Sequence, residues 1–131
     1  MRGILRAMAA TLAAVCAVVA IFGLASGPVW SEQEHDLTFR IKSSYRLKVQ
    51  VAFYSQNRDH SWPGPGRAYD IDNYRKHEYT LRCRRGERIC YGGWVEGDAK
   101  RYWGVGLNNR HRCETCCYVC NNNETRVIDL D

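Results

Sequence analysis

LTFRIKSSYRLKVQVAF, residues 37–53, alternates apolar with polar side chains in two runs separated by Ser43-Ser44. The apolar members of the two runs are Leu37, Phe39 and Ile41, then Leu47, Val49, Val51 and Phe53. Because successive side chains of a β-strand point to opposite faces, a period of two predicts strands with one buried face. The segment therefore predicts two strands joined by a short turn.

Beyond this segment, residues 79–83 alternate in the same way, and three other stretches are rich in apolar or aromatic residues. Further strands are expected at residues 79–83, 89–95, 101–105 and 126–130, with a turn at 84–87. No stretch after Ala25 has the apolar spacing of a three-turn helix. The sequence therefore predicts one all-β domain over residues 37–131, a small antiparallel sandwich or barrel stapled by disulfides. Residues 55–66 and 111–123 are expected to be irregular.

Residues 1–25 have the character of an export signal. Arg2 and Arg6 precede nineteen uncharged, mostly apolar residues, and the small Gly23 and Ala25 fit a cleavage site. The alternative is an uncleaved membrane anchor, since an apolar run of this length could just cross a bilayer. Residues 26–36 are mostly polar and are expected to form a linker.

Composition excludes several classes of protein. The 131 residues include 19 Lys and Arg, 14 Asp and Glu, and 11% aromatic residues, which is unlike a disordered chain. Cleavage after Ala25 would remove Arg2 and Arg6 and leave a net charge of +3. That mild charge does not indicate a nucleic-acid partner. Membrane contact is expected only through the N-terminal segment, if it is uncleaved.

Six of the seven cysteines follow the N-terminal segment: Cys83, Cys90, Cys113, Cys116, Cys117 and Cys120. An even number in an exported chain indicates three disulfides and a periplasmic or secreted protein. We expect Cys83 and Cys90 each to reach into the cluster at 113–120, with the third bridge inside that cluster. The alternative is a Cys83–Cys90 bridge across their own hairpin.

The cysteine cluster has two other possible uses. Its two Cys-x2-Cys spacings resemble zinc ligands, but the adjacent Cys116 and Cys117 would point to opposite faces of an extended chain. A redox-active Cys113–Cys116 pair would be expected at the start of a helix, and no helix follows it. We therefore expect no metal and no cofactor.

Catalytic motifs are absent from the sequence. It has neither Gly-x-Ser-x-Gly nor His-Glu-x-x-His, and Asp70-Ile71-Asp72 is followed by Tyr74 where a calcium loop needs an acid or Asn. Four histidines follow the N-terminal segment: His35, His60, His77 and His111. A small His-dependent or metal-dependent enzyme using His60 or His111 remains an alternative. We assign no catalytic residue.

Two groups of residues are candidates for binding. The aromatic group is Trp62, Trp94, Tyr102 and Trp103. Their ring faces could stack on sugars, or the rings could simply fill the core. The basic group is Arg84, Arg85 and Arg88, which share one hairpin tip. Guanidinium forks pair with phosphate or carboxylate, although a solvated turn would carry the same residues.

Five motifs occur in order: FYSQ (53–56), WPG (62–64), GExICYGxW (86–94), YWGVG (102–106) and CxxCCYxC (113–120). Their combination resembles small exported Cys-rich proteins of unknown function from rhizobia-like bacteria, over residues 38–130. The resemblance implies bacterial export and carries over no binding or catalytic residue.

The expected function is that of an exported, non-enzymatic binding or cell-envelope protein. Its aromatic and basic candidates would contact a cell-wall glycan or an anionic envelope polymer. The alternative is a secreted structural or effector-like module that binds a protein partner.

Overall fold

A computed structural model describes residues 34–131, which form nine strands and one 3-10 turn. The strands are β1 (Glu34–Ser43), β2 (Val49–Ser55), β3 (Ser61–Trp62), β4 (Tyr69–Ile71), β5 (Lys76–Arg84), β6 (Arg88–Val95), β7 (Asp98–Gly104), β8 (Cys117–Val119) and β9 (Asn123–Leu130). The 3-10 turn lies at Leu107–Asn109. The predicted export signal and residues 26–33 of the predicted linker lie outside the described residues.

The strands form two open sheets, and the all-β prediction is confirmed. The smaller sheet has the order β5-β1-β9. The larger has the order β3-β2-β6-β7, with β4 also paired to β2 and β8 to β6. Every pairing is antiparallel except that of β1 with β9, which is parallel. The last strand therefore returns beside the first, a departure from the antiparallel pattern expected from the sequence.

Both sheets contribute to one hydrophobic core. The alternating residues of β1 and β2 are fully buried in it: Leu37, Phe39, Ile41, Val49, Val51 and Phe53. The rings of Phe39 and Phe53 lie 4.5 Å apart between the two sheets. Leu47 differs from the expectation, because β2 begins only at Val49 and the Leu47 side chain is half exposed.

Aromatic pairs pack against the core beside both sheets. Tyr69 of β4 and Tyr79 of β5 have ring centroids 4.6 Å apart. Tyr45 packs edge-on against Trp103 of β7 at 5.2 Å, and Trp103 Nε1 donates a hydrogen bond to the Asp131 carbonyl. These rings shield apolar surface that two open sheets of short strands would otherwise expose.

Strand pairing extends into segments expected to be irregular. β1 begins at Glu34, so residues 34–36 of the predicted linker are strand, with Glu34 opposite Arg84 of β5. The predicted loop at 55–66 contains β3, and the predicted irregular segment at 111–123 contains β8. These short strands have too few residues to show an alternating pattern.

Three disulfides join the sheets and loops: Cys83–Cys120, Cys90–Cys117 and Cys113–Cys116. This is the pairing that we expected, and the bridge between Cys83 and Cys90 is not formed. Three disulfides are typical of a protein that folds outside the cytoplasm. In residues 34–131, no helix is long and apolar enough to span a membrane.

Candidate functional site

The outer face of the larger sheet, turned away from the core, carries the candidate site. Gln50 and Tyr54 of β2, Trp94 of β6 and Tyr102 of β7 lie on this face. Residues of the loop after β2 and of the segment that follows β7 line cavities beside it. Both segments come between strands of one sheet, so the sheet positions them.

The segment after β7 is held closely against the sheet. Val105 N donates to the Tyr91 carbonyl at 3.0 Å, and Asn108 N donates to the Tyr54 hydroxyl at 2.9 Å. Asn108 and Asn109 have φ values of 58° and 55°, the left-handed region that Asn tolerates better than most residues. These constraints place the following residues, 110–114, at the edge of the sheet.

Glycine is required where this segment meets β6. A Cβ at Gly92 would collide with the Gly106 carbonyl oxygen. A Cβ at Gly104, where φ is 62°, would collide with the Tyr91 carbonyl oxygen. The backbone of the segment can approach the sheet only because both side chains are absent.

The largest of three cavities in this region has a volume of about 670 Å³ and lies beside residues 109–114. We call it the basic pocket. Its charged and titratable lining residues are Arg88, Arg110, His111, Arg112 and Glu114. With His111 neutral, three guanidinium groups and one carboxylate give these residues a formal charge of +2.

The carboxylate that lines the basic pocket is already engaged. Glu114 Oε1 accepts a hydrogen bond from Arg112 Nη2 at 2.9 Å, and the Glu114 carbonyl lies 3.5 Å from Arg88 Nη2. Arg88 and Arg110 are both solvent-exposed. The N–H groups of each guanidinium can donate two hydrogen bonds to the oxygens of one carboxylate or phosphate group.

Two arginines of the smaller sheet, Arg40 and Arg82, differ from those of the basic pocket because they pair with carboxylates of the same sheet. Arg40 of β1 forms an ion pair with Glu124 and has Nε 3.5 Å from Glu78. Arg82 of β5 forms an ion pair with Glu34. These two guanidinium groups therefore already have carboxylate partners within the protein.

Two smaller cavities adjoin the basic pocket. They have volumes of about 450 and 320 Å³ and share Tyr54, Ser61, Gly66 and Asn108. Asn109 lines both the larger of these two and the basic pocket. We call the two cavities together the polar groove, because hydroxyl and amide groups dominate the shared lining.

A buried carboxylate anchors the hairpin between β5 and β6 beside the site. Glu87 is 4% exposed and accepts hydrogen bonds from Ser55 Oγ at 2.5 Å and from Arg84 N at 2.9 Å. Arg58 binds it through Nε at 2.6 Å and Nη2 at 3.0 Å. The network ties the hairpin that bears Arg88 to the loop after β2.

Of the predicted basic residues, Arg88 lines the basic pocket, whereas the exposed Arg84 ends β5 and the exposed Arg85 lies on the hairpin turn. The sequence analysis missed Arg110 and Arg112 as candidate ligands. The one feature of the sequence that could have indicated a binding role for these two arginines is their position on either side of His111. Nothing in the sequence shows that this segment folds back toward Arg88.

The four predicted aromatic residues separate into two pairs. Trp94 and Tyr102 lie on the outer face, where Trp94 is 4% exposed and lines the polar groove. The Tyr102 ring stacks on His111 with centroids 3.7 Å apart. Trp62 belongs to the core and Trp103 packs against it, so these two do not meet the other pair.

The two histidines of the enzyme alternative lie in different cavities. His60 lines the polar groove with Asp59 and contacts the Trp62 ring edge-on at 4.5 Å. His111 lines the basic pocket and donates its backbone N–H to Val105. Among residues 34–131, no group of three or more His, Cys, Asp or Glu side chains is arranged to hold a metal ion.

Comparison of the chain with protein-family models, with curated proteins and with solved structures found no match.

Proposed function

We propose that this protein is an exported, non-enzymatic binding protein whose basic pocket holds anionic groups of an envelope polymer or acidic glycan. The observation that carries the proposal is the arrangement of Arg88, Arg110 and Arg112 around one cavity whose Glu114 carboxylate is already paired. Unbalanced guanidinium groups attract carboxylate and phosphate.

The polar groove supports a polymer as the ligand. It adjoins the basic pocket at Asn109 and offers the Tyr54 and Ser61 hydroxyls beside Trp94. Hydroxyl and amide groups are hydrogen-bonding partners that sugar units use. A chain of acidic sugars could place a charged group in the basic pocket and neighbouring units along the polar groove.

Export supports this class of ligand. The N-terminal segment has the pattern of an export signal, and the three disulfides suit an oxidising compartment. We propose a periplasmic or secreted location, where anionic envelope polymers are the abundant anions.

Binding to three immobilised probes tests the proposal: polyphosphate, oligogalacturonate and uncharged dextran. We expect the oxidised protein to bind the two anionic probes and not dextran, with affinity falling as salt rises. The variant Arg88→Gln/Arg110→Gln should lose roughly tenfold or more in affinity. Arg46→Gln/Arg75→Gln removes the same charge from exposed residues outside the pocket and should bind almost as well as the parent.

Equal losses in the two double variants would contradict the proposal, because binding would then follow net charge rather than the pocket. Equal binding to dextran would contradict the requirement for an anion.

A further inference from the structure

We propose that the Cys113–Cys116 disulfide is a site of thiol–disulfide exchange with low-molecular-weight thiols that carry carboxylates. The proposal shares the basic pocket with the proposed function but does not require the polymer ligand. It concerns a pair of cysteines that the proposed binding does not use.

Accessibility distinguishes this bridge from the bridge that ties β5 to the segment before β9. Cys113 is partly exposed and lines the basic pocket, while Cys116 is 4% exposed. Cys83 and Cys120 are 3% and 0% exposed. Exchange needs a thiolate to reach a sulfur atom, so the Cys83–Cys120 bridge is shielded.

The Cys90–Cys117 bridge also borders the basic pocket, but its position in the sheet protects it. Cys90 and Cys117 are directly opposed in the register of β6 and β8; Cys90 is 1% exposed, and Cys117 is partly exposed, as Cys113 is. The Cys113–Cys116 bridge lies outside every strand and spans a sequence separation of three residues. It can open without separating paired strands.

The surrounding charges favour a reaction at Cys113. Arg88, Arg110 and Arg112 line the same cavity as this residue, together with the Glu114 carboxylate, which is paired with Arg112. Positive charge favours a thiolate and therefore the reduced form of the pair. The arginines provide the positive charge that the start of a helix provides in other Cys-x-x-Cys sites, and they also attract the carboxylates of the incoming thiol.

The exchange is balanced in two steps. The thiolate RS⁻ attacks Cys113 Sγ, the Cys113–Cys116 bond breaks, and Cys116 leaves as a thiolate that takes a proton from water. A second RS⁻ then attacks the mixed disulfide at the sulfur of R, releasing RSSR and the Cys113 thiolate. Two thiols are oxidised to one disulfide, and the protein disulfide is reduced to two thiols.

The test treats the full-length oxidised protein with glutathione or with cysteamine at equal thiolate concentration. Free thiols are then alkylated and the peptides are mapped by mass. We expect a glutathione adduct on Cys113 with alkylated Cys116 before either other bridge opens, and reaction with glutathione several-fold faster than with cysteamine. Arg88→Gln/Arg110→Gln should reduce that preference, whereas Arg46→Gln/Arg75→Gln should retain it.

Opening of Cys90–Cys117 or Cys83–Cys120 first, or simultaneous opening of all three, would overturn the proposal. Equal rates with glutathione and cysteamine in the parent protein would also overturn it. Polyphosphate binding of the same samples separates this proposal from the proposed function. If arginine-dependent binding persists while Cys113 is unreactive, only the exchange proposal fails; exchange at Cys113 without polyphosphate binding would leave only the binding proposal contradicted.

Discussion

Glu87 shows how one buried charge is stabilised next to the candidate site. Burial alone would raise the pKa of this carboxyl, but hydrogen bonds from Arg58, from Arg84 N and from Ser55, together with the Arg58 charge, lower the pKa from 4.5 to about 2. A folded-state pKa below the unfolded value stabilises the fold above pH 4.5. That contribution is lost as the pH falls from 4.5 toward 2.

Replacing this carboxylate should therefore destabilise the protein in a pH-dependent way. We expect Glu87→Gln to lower the free energy of unfolding at pH 7 by about 3 kcal/mol, because the substitution removes the charge that the folded state stabilises through Arg58, Arg84 N and Ser55. The difference from the parent should shrink between pH 4.5 and pH 2, as the parent carboxylate becomes protonated. Urea unfolding monitored by tryptophan fluorescence across this range measures the effect.

Glu96→Gln is the matched control for this prediction. Glu96 is exposed and pairs with Lys48 at 3.1 Å. Exposed pairs contribute little, so we expect a change of about 0.5 kcal/mol or less. A loss as small for Glu87→Gln as for Glu96→Gln would mean that the Arg58 network does not stabilise the fold.

Single side chains were predictable from the sequence where strand alternation decides their direction. Alternation correctly separates Tyr91, which packs against the core, from Trp94, which lies on the outer face. It could not place Trp62, whose burial follows from pairing with Phe53 across a two-residue strand. The sequence predicted Glu87 only as part of a turn. Its main partner, Arg58, is 29 positions away, so the local sequence gives no sign of the ion pair.

At the scale of elements, the close approach of residues 104–106 to β6 determines the shape of the basic pocket. We expect Gly92→Ala to lower the free energy of unfolding by about 1–3 kcal/mol, because its Cβ would push the Gly106 carbonyl away. Displacement of the segment should also weaken polyphosphate binding. Denaturant unfolding and the binding assay on the same sample measure both effects.

Gly64→Ala provides the comparison. Its Cβ would meet Arg67 Cδ at an ordinary 3.6 Å, and the backbone at Gly64 is not left-handed. Stability should change little in this variant. If Gly92→Ala were equally harmless, the segment would not depend on contact with the sheet.

The three bridges should differ in their effect on stability. Cys83–Cys120 spans 37 residues and Cys113–Cys116 spans 3, so chain entropy predicts contributions of about 4 and about 2 kcal/mol. We therefore expect Cys83→Ala/Cys120→Ala to lose about 2 kcal/mol more than Cys113→Ala/Cys116→Ala. Guanidinium unfolding of the two variants measures the difference, and the reverse order would contradict it.

The longer strands were predictable because their alternating runs are long enough to show a period of two. β1, β2 and β5 follow such runs, whereas β6 was predicted as the strand that returns from the turn at 84–87. The shorter strands β3, β4 and β8 have only two or three residues each, which is too few to show an alternating pattern. The parallel return of β9 beside β1 is a property of the whole topology.

At the scale of the whole molecule, the basic pocket is assembled from segments that are far apart in the sequence. Gln56 follows β2, Arg88 begins β6, and residues 109–114 follow the 3-10 turn. The sequence could indicate an Arg-rich hairpin and an aromatic set, but not which arginines converge. Arg110 and Arg112 join Arg88 because the segment after β7 folds back over the outer face.

The central claim is that an anion binds at this pocket rather than anywhere on a basic surface. The most direct measurement is an NMR titration of the oxidised, 15N-labelled protein with short polyphosphate. We expect saturable shifts concentrated at the amides of Arg88 and residues 109–114, with Arg75 and Arg101 unaffected. Shifts spread over all exposed basic residues, or centred on the turn at Arg84 and Arg85, would contradict a built anion site.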